Sequence, residues 1–562
     1  VSVLYCSFPL FIFLFRSAHD LSSAMSFMRQ GVQTMMKDGS QLVDEPILKN
    51  IHACRELAKI TRSSMGPYGL CKMVINHLNK LFVTHDAATI LRELEVEHPA
   101  AKLLVMAANA MQEEVGDGTN LVVTLAGEFL SQAEALVRMG LHPSDIIEGY
   151  KKAGAKALEA LDALVSGTVD DMLLRDNVIP AIRTAIASKQ YGYESFLAEL
   201  VTDACINACP SNPKSFNVDN VRVAKLDGES ILSSRLVRGF VITRSAEGSV
   251  NHIKKAKVAV FSCAVDVPST ETKGTALIES AEQLLQYSKK EEDVIEEIIS
   301  NIAKTGVNVI VSNSNFGDLA LHFLNRYGIM AVKVSSKFEM RRLCAAVGAR
   351  TLARLDVPSM EDLGACDSVD VTEVGGKNII SFAQDKDDSK LSTIVIRGAT
   401  QNVLDDVERA IDDGINVFKA LTKDKRLVAG AGATEMELQK ILTTFGEANR
   451  GLDQYAIRKY ASSFEVVART LAEVSGFNGT DLVTRLEAEH HAGKCHNGVQ
   501  VEDGSTFDAV EGGVVDPYAT KFWGIKLATD AVITVLQVDQ IIIAKQAGGP
   551  KQRPDQARDE EQ

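Results

Sequence analysis

VNVIVSNSNFGDLALHFLNRYGIMAVKVS (307–335) decides the fold class. It opens on a short apolar, β-branched run, VNVIVSN (307–313), and closes on another, IMAVKVS (329–335). Between them ALHFLNRYG (320–328) places apolar residues at helical spacing. Strand, helix, strand is the grammar of an α/β layer. The alternation continues outward. NVDNVRVAKL (217–226), RGFVITR (238–244) and KKAKVAVFSC (254–263) read as strands, and TALIESAEQLLQYSKKEEDVIEEIISNIAKTG (275–306) as a helix. Downstream, FEMRRLCAAVGAR (338–350) predicts a helix, LSTIVIRG (391–398) a strand and QNVLDDVERAIDDGINVFKALT (401–422) a long helix.

The flanks are different. EPILKNIHACRELAKITR (45–62) puts Ile47, Leu48, Ile51, Cys54, Leu57 and Ile60 on one helical face, and SMGPYG (64–69) breaks it. CKMVIN and KLFVTHD, within 71–86, predict a hairpin. HPAAKLLVMAANAMQEEV (98–115) is helical, GDGTN (116–120) stops it, and a new helix starts at Leu121. Helical pattern then runs to about residue 205 and resumes from GAGATEMEL (430–438) onward. The order helical, α/β, helical predicts a middle domain inserted into a helical protein.

The chain has 562 residues, room for three or four domains. Its formal charge of −14 argues against a general nucleic-acid binder. Nine scattered cysteines without a CxxC pair exclude a disulfide scaffold or zinc ribbon and read as buried free thiols. Cys205 and Cys209 share a helix face, but no second pair or nearby histidine accompanies them. VSVLYCSFPLFIFLF (1–15) is apolar but short for a membrane span, and residues 1–24 read as an extension ahead of an ordinary N-terminus at Met25. The last residues, 550–562, read as a flexible polar tail.

Three glycine clusters stand at element junctions: SMGPYG, GDGTN and GAGATE. Backbone N–H groups in such loops, ahead of helix N-termini, suit phosphate oxygens. Asp117, beside Thr119, could hold Mg²⁺ there. There is no GxxxxGK[ST] motif. Asp86 follows a strand, and Asp412 and Asp413 lie inside a helix. Periodicity alone does not decide which of that pair points into a phosphate pocket.

RSSMGPYGLCKMV (62–74), VTHDAATILRELEVEHPAAK (83–102), EVGDGTN (114–120) and GAGATEMEL (430–438), in this order, resemble the group II chaperonins. The resemblance covers about residues 25 to 549. Stretches such as LRELEVEHPAAK, SKQYG and STIVIRG look like one particular paralogue of the eukaryotic cytosolic chaperonin. The family fold implies an equatorial domain from both chain ends (25–168 and 427–549). It further implies an intermediate domain (169–236 and 387–426) and an apical domain (237–386) with a helical protrusion over ETKGTALIESAEQLLQYSKKEE (271–292).

The resemblance also implies an ATP-hydrolysing cytoplasmic chaperone. Paralogous subunits would form two stacked eight-membered rings around non-native clients such as actin and tubulin, with no membrane or nucleic-acid partner. A structural ring subunit that holds nucleotide with little or no turnover is the alternative. For ATP or ADP, Met65, Gly66, Gly118, Thr119, Asn120 and Leu121 would lie along the phosphates. Ala187, Ser188 and Lys189 would form a nearby loop, while Gly430, Gly432 and Asp516 would approach the ribose. Asp117 would ligate Mg²⁺, Asp86 would face the γ-phosphate, and Asp413 would activate the attacking water. FEMRRLCAAVG (338–348) matches the helix that lines the client groove, with Glu339, Arg341 and Arg342 giving it a mixed surface.

The chain departs from the family pattern in several places. Ala431 and Ala429 replace a glycine and a proline, Asn120 a threonine, and His85 and Tyr68 asparagines. If position 431 needs positive φ, alanine costs on the order of 1 kcal/mol there. Gly414 loosens its helix by roughly 1 kcal/mol relative to alanine.

Overall fold

The computed structural model describes residues 46–76, 79–266, 281–384 and 391–542. The expected extension, the tail and residues 271–280 of the expected protrusion lie outside them.

The first helix, α1 (Pro46–Arg62), ends at the glycine break, and the hairpin β1 (Lys72–Ile75)–β2 (Leu81–Thr84) follows. Then come α2 (Ala87–Glu93), α3 (Pro99–Glu114), α4 (Thr119–Arg138) and α5 (Pro143–Ala163). A short strand that the helical reading passed over, β3 (Val165–Thr168), precedes α6 (Arg175–Ala187) and α7 (Glu194–Ala208).

The middle region holds β4 (Val221–Asp227), β5 (Arg235–Ile242), β6 (His252–Phe261), α8 (Ala281–Lys304) and β7 (Val309–Ser312). It continues through α9 (Asp318–Arg326), β8 (Met330–Lys333), α10 (Lys337–Val347), β9 (Thr351–Leu352), β10 (Gly364–Val374), β11 (Lys377–Ala383) and β12 (Ser392–Gly398). The stretch that set the fold class forms β7–α9–β8, with β6, β7 and β8 parallel. One mixed sheet runs β4-β12-β5-β11-β10-β6-β7-β8, with β9 on β6. The β10–β11 hairpin was not read from sequence, because its strands are half-polar. Its turn, Gly375–Gly376, has φ of +62° and +75°, the twist a two-residue hairpin turn requires.

The chain returns through α11 (Gln401–Lys423), β13 (Arg426–Ala429), α12 (Ala433–Ala448) and α13 (Asp453–Ser462). It finishes with α14 (Glu465–Val474), α15 (Gly479–His491), β14 (Asn497–Val499), β15 (Thr506–Asp508), β16 (Val515–Pro517) and α16 (Tyr518–Leu536). One large core joins the two ends of the chain. Phe129 of α4 stacks on Tyr460 of α13 at 4.2 Å, and both are fully buried. Burial of such aromatic pairs supplies more than area alone. Apolar stripes of α6, α7 and α11 make a second core against β12. There Gly414 faces Val201, Ile182 and Ile186, and a Cβ on it would sit 3.2–3.3 Å from each. The glycine therefore lets three helices approach, which amends its reading as a simple weakening of α11.

No helix among the described residues is long and apolar enough to cross a membrane. On α10, Met340, Leu343 and Val347 are buried, while Phe338 is 69% exposed and Arg341 is exposed too. The outward face is mixed, as its composition implied.

Candidate functional site

A cavity of about 560 Å³ opens where α2, α4, α6, α11 and α12 converge. Its lining includes Met65, Gly66, Asp86, Asp117, Gly118, Thr119, Asn120, Leu121, Ala187, Ser188, Lys189, Asp413, Gly432 and Asp516. These come from seven separate segments of sequence. Gly430 is the exception: it is not in the lining, and its N–H donates to Val514 O at 3.0 Å. A Cβ there would lie 3.0 Å from Val514, which does line the cavity.

The glycines are used as backbone. Gly118 (φ +78°) and Gly432 (φ +79°) are the left-handed N-caps of α4 and α12, and neither helix has a side-chain cap. The first N–H groups of α4 are left for an anion, whereas in α12 Ala433 N already donates to Gly430 O at 3.0 Å and only the N–H groups after it remain. Gly66 has φ +81°, and a Cβ there would lie 2.5 Å from Leu471 Cδ2. Ala431, between two glycines, is held at φ +52° in the cavity wall. This is the strained conformation that its substitution for glycine raised as a question.

Four charged groups converge on one point. Lys189 Nζ lies 3.0 Å from Asp86 Oδ1 and 2.5 Å from Asp413 Oδ2. Burial works against the ammonium, but Asp413 and Asp86 outweigh it and hold its pKa above the ordinary lysine value. Asp86 is also the N-cap of α2, its Oδ2 accepting from Thr89 N at 3.0 Å and Thr89 Oγ1 at 2.7 Å. Burial alone would raise its pKa, yet Lys189 and Thr89 bring it down to about 2. Asp413 is driven the other way. Burial first, then the charges of Asp117 and Asp86, push its carboxyl well above the usual range despite Lys189. Asp117 is raised by burial. Asp412, its rival in the sequence, is exposed and not part of the lining.

Three carboxylates around one ammonium leave net negative charge. That donor set, all hard oxygen, fits Mg²⁺. Thr520 belongs to the lining, and its Oγ1 is buried without a hydrogen-bond partner.

Several features were not read from sequence. Lys521 is buried between Asp516 Oδ2 at 2.9 Å and Glu435 Oε1 at 2.6 Å. Its signal was weak, a lone lysine in an apolar helix. Asn120 does not aim its side chain at the cavity. Its Nδ2 donates to Thr61 O at 3.1 Å and its Oδ1 accepts from Thr124 Oγ1 at 3.2 Å, tying α4 to the end of α1. Leu471, Val499, Val501 and Phe507 add an apolar lining beside the charged cluster.

The sequence matches the TCP-1/cpn60 chaperonin family over residues 57–546. It is 52% identical to T-complex protein 1 subunit theta of Arabidopsis thaliana over 538 residues, covering 95% of this chain and 98% of that one. It is 50% identical to the same-named protein of Dictyostelium discoideum over 524 residues (93% and 98%). The figure is also 50% for that of Homo sapiens over 526 residues (93% and 96%).

Proposed function

The chain belongs to the TCP-1/cpn60 chaperonin family, and from that premise we propose that it is an ATP-hydrolysing chaperone subunit of theta type. The observation that carries the reading is the cluster of Asp86, Asp117, Asp413 and Lys189 beside two uncapped helix N-termini. The N–H groups of α4 and α12 would bind phosphates, and the apolar lining would take the base. Asp117 would hold Mg²⁺, which neutralises phosphate charge when bound. Asp86, with its low pKa, stays a carboxylate and serves to orient. Asp413, raised by burial and its acidic neighbours, is the better proton acceptor and would position the attacking water. Lys189 holds both carboxylates in place and balances their charge.

In this reading the subunit works in the cytoplasm with paralogous subunits in two stacked eight-membered rings, and actin and tubulin are among its clients. Asp413 lies on α11 and Asp86 ahead of α2, so movement of α11 would make or break the catalytic arrangement. A structural ring subunit is the second reading, and the strained Ala431 in the wall favours it. Binding is common to both. Isothermal titration of Mg·ATP against the full chain should give one site, lost in Asp117→Ala. Absence of binding to the wild type contradicts both readings.

A further inference from the structure

A second group of donor side chains meets where the β1–β2 hairpin packs on α11. Cys71 directly precedes β1, His85 directly follows β2, and Asp406 lies on α11. One ligand atom from each falls within 4.8 Å of the others. His85 stands between its partners, with Nε2 3.1 Å from Cys71 Sγ and Nδ1 3.1 Å from Asp406 Oδ2. That Nδ1 is buried and makes no well-aligned hydrogen bond. Asp406 Oδ1 is already held by Thr84 Oγ1 at 2.9 Å and Arg409 Nη1 at 3.2 Å, which turns Oδ2 toward His85. Cys71 is exposed, so solvent reaches the cluster.

We propose that Cys71, His85 and Asp406 form a site for a zinc-class divalent ion, with solvent as its fourth ligand. The donor set is the reason. Thiolate, imidazole and carboxylate together select zinc, whereas Mg²⁺ prefers the all-oxygen set around Asp117. Thr84 and Arg409 act as the outer shell that orients the carboxylate. On binding, the Cys71 thiol proton leaves to solvent and a sulfur–metal bond forms, with no change of oxidation state. The ion would cross-link the hairpin that leads to Asp86 with the helix that carries Asp413. His85 also lines the nucleotide cavity, so the two sites share a wall.

The test is titration of the nucleotide-free full chain with Co²⁺ in excess Mg²⁺, followed by displacement with Zn²⁺. One equivalent of Co²⁺ should raise a thiolate-to-cobalt charge-transfer band that Zn²⁺ removes. Cys71→Ser, an exposed change, should abolish the band. His85→Asn should weaken zinc by at least about 10-fold, the scale of even outer-shell losses. Zn²⁺ should also raise the melting temperature of the wild type and leave Cys71→Ser unmoved. A wild type without the band, or a band of equal strength in Cys71→Ser, overturns the proposal.

Discussion

Ala431 shows how one methyl group bears on the site. At φ +52° an L-residue with a Cβ is strained by about 1–2 kcal/mol, and glycine is not. Glycine loses roughly 0.4–1 kcal/mol of this through its freer unfolded chain. Ala431→Gly should therefore stabilise the full chain by up to about 1.6 kcal/mol, read as a higher denaturation midpoint; a lower midpoint refutes the strain. Asp86 makes a pH prediction. Its folded pKa is depressed to about 2 from 3.8, so its contribution is complete above about pH 4. It is lost as pH falls toward 2, by roughly 2 kcal/mol. Acid unfolding of Asp86→Asn should lack that component, and identical acid slopes in both proteins would deny Lys189 and Thr89 their role. Residue types at this scale were largely legible in the sequence. Which partner each group takes was not: Asn120 turns to Thr61, and Gly430 N–H donates to Val514 O. Both depend on contacts with residues distant in the chain.

At the scale of elements, α11 carries two opposed demands. Its buried stripe packs on α6 and α7 while Asp413 on the same helix faces the cavity. Gly414 is where they meet. Replacing it by alanine gains about 1 kcal/mol of helix propensity. The new Cβ would press on Val201, Ile182 and Ile186 at 3.2–3.3 Å, and overpacking of this kind costs about 1–3 kcal/mol. Gly414→Ala should be net destabilising in urea unfolding; a stabilised variant would mean that the three helices have slack. The choice between Asp412 and Asp413 belongs to this scale too. Spacing leaves both open, and only the packing of α11 turns one inward. Helices and the β7–α9–β8 unit were readable because their apolar periods are strong. The β10–β11 hairpin was not, since Asp367 and Glu373 stand where apolar residues would continue the row of Val369 and Val371.

For the whole molecule, the central fact is that the site is assembled from segments hundreds of residues apart. Asp86 and Asp117 come from the first part of the chain, Lys189 from α6's end, Asp413 from α11 and Asp516 from β16. The cores beneath them are likewise built from both ends, with Phe129 on Tyr460 at the centre. Sequence motifs named most of the participants, but the buried Lys521 and the Cys71–His85–Asp406 cluster become visible only on folding. The most direct measurement is single-turnover hydrolysis of labelled ATP by the assembled complex, comparing wild type with Asp413→Ala in this chain alone. The account predicts that nucleotide still binds while this subunit's share of the burst falls by about 10²–10⁴-fold, the usual worth of a positioned base. A burst unchanged in size and rate would contradict it and leave the chain as a nucleotide-holding member of its ring.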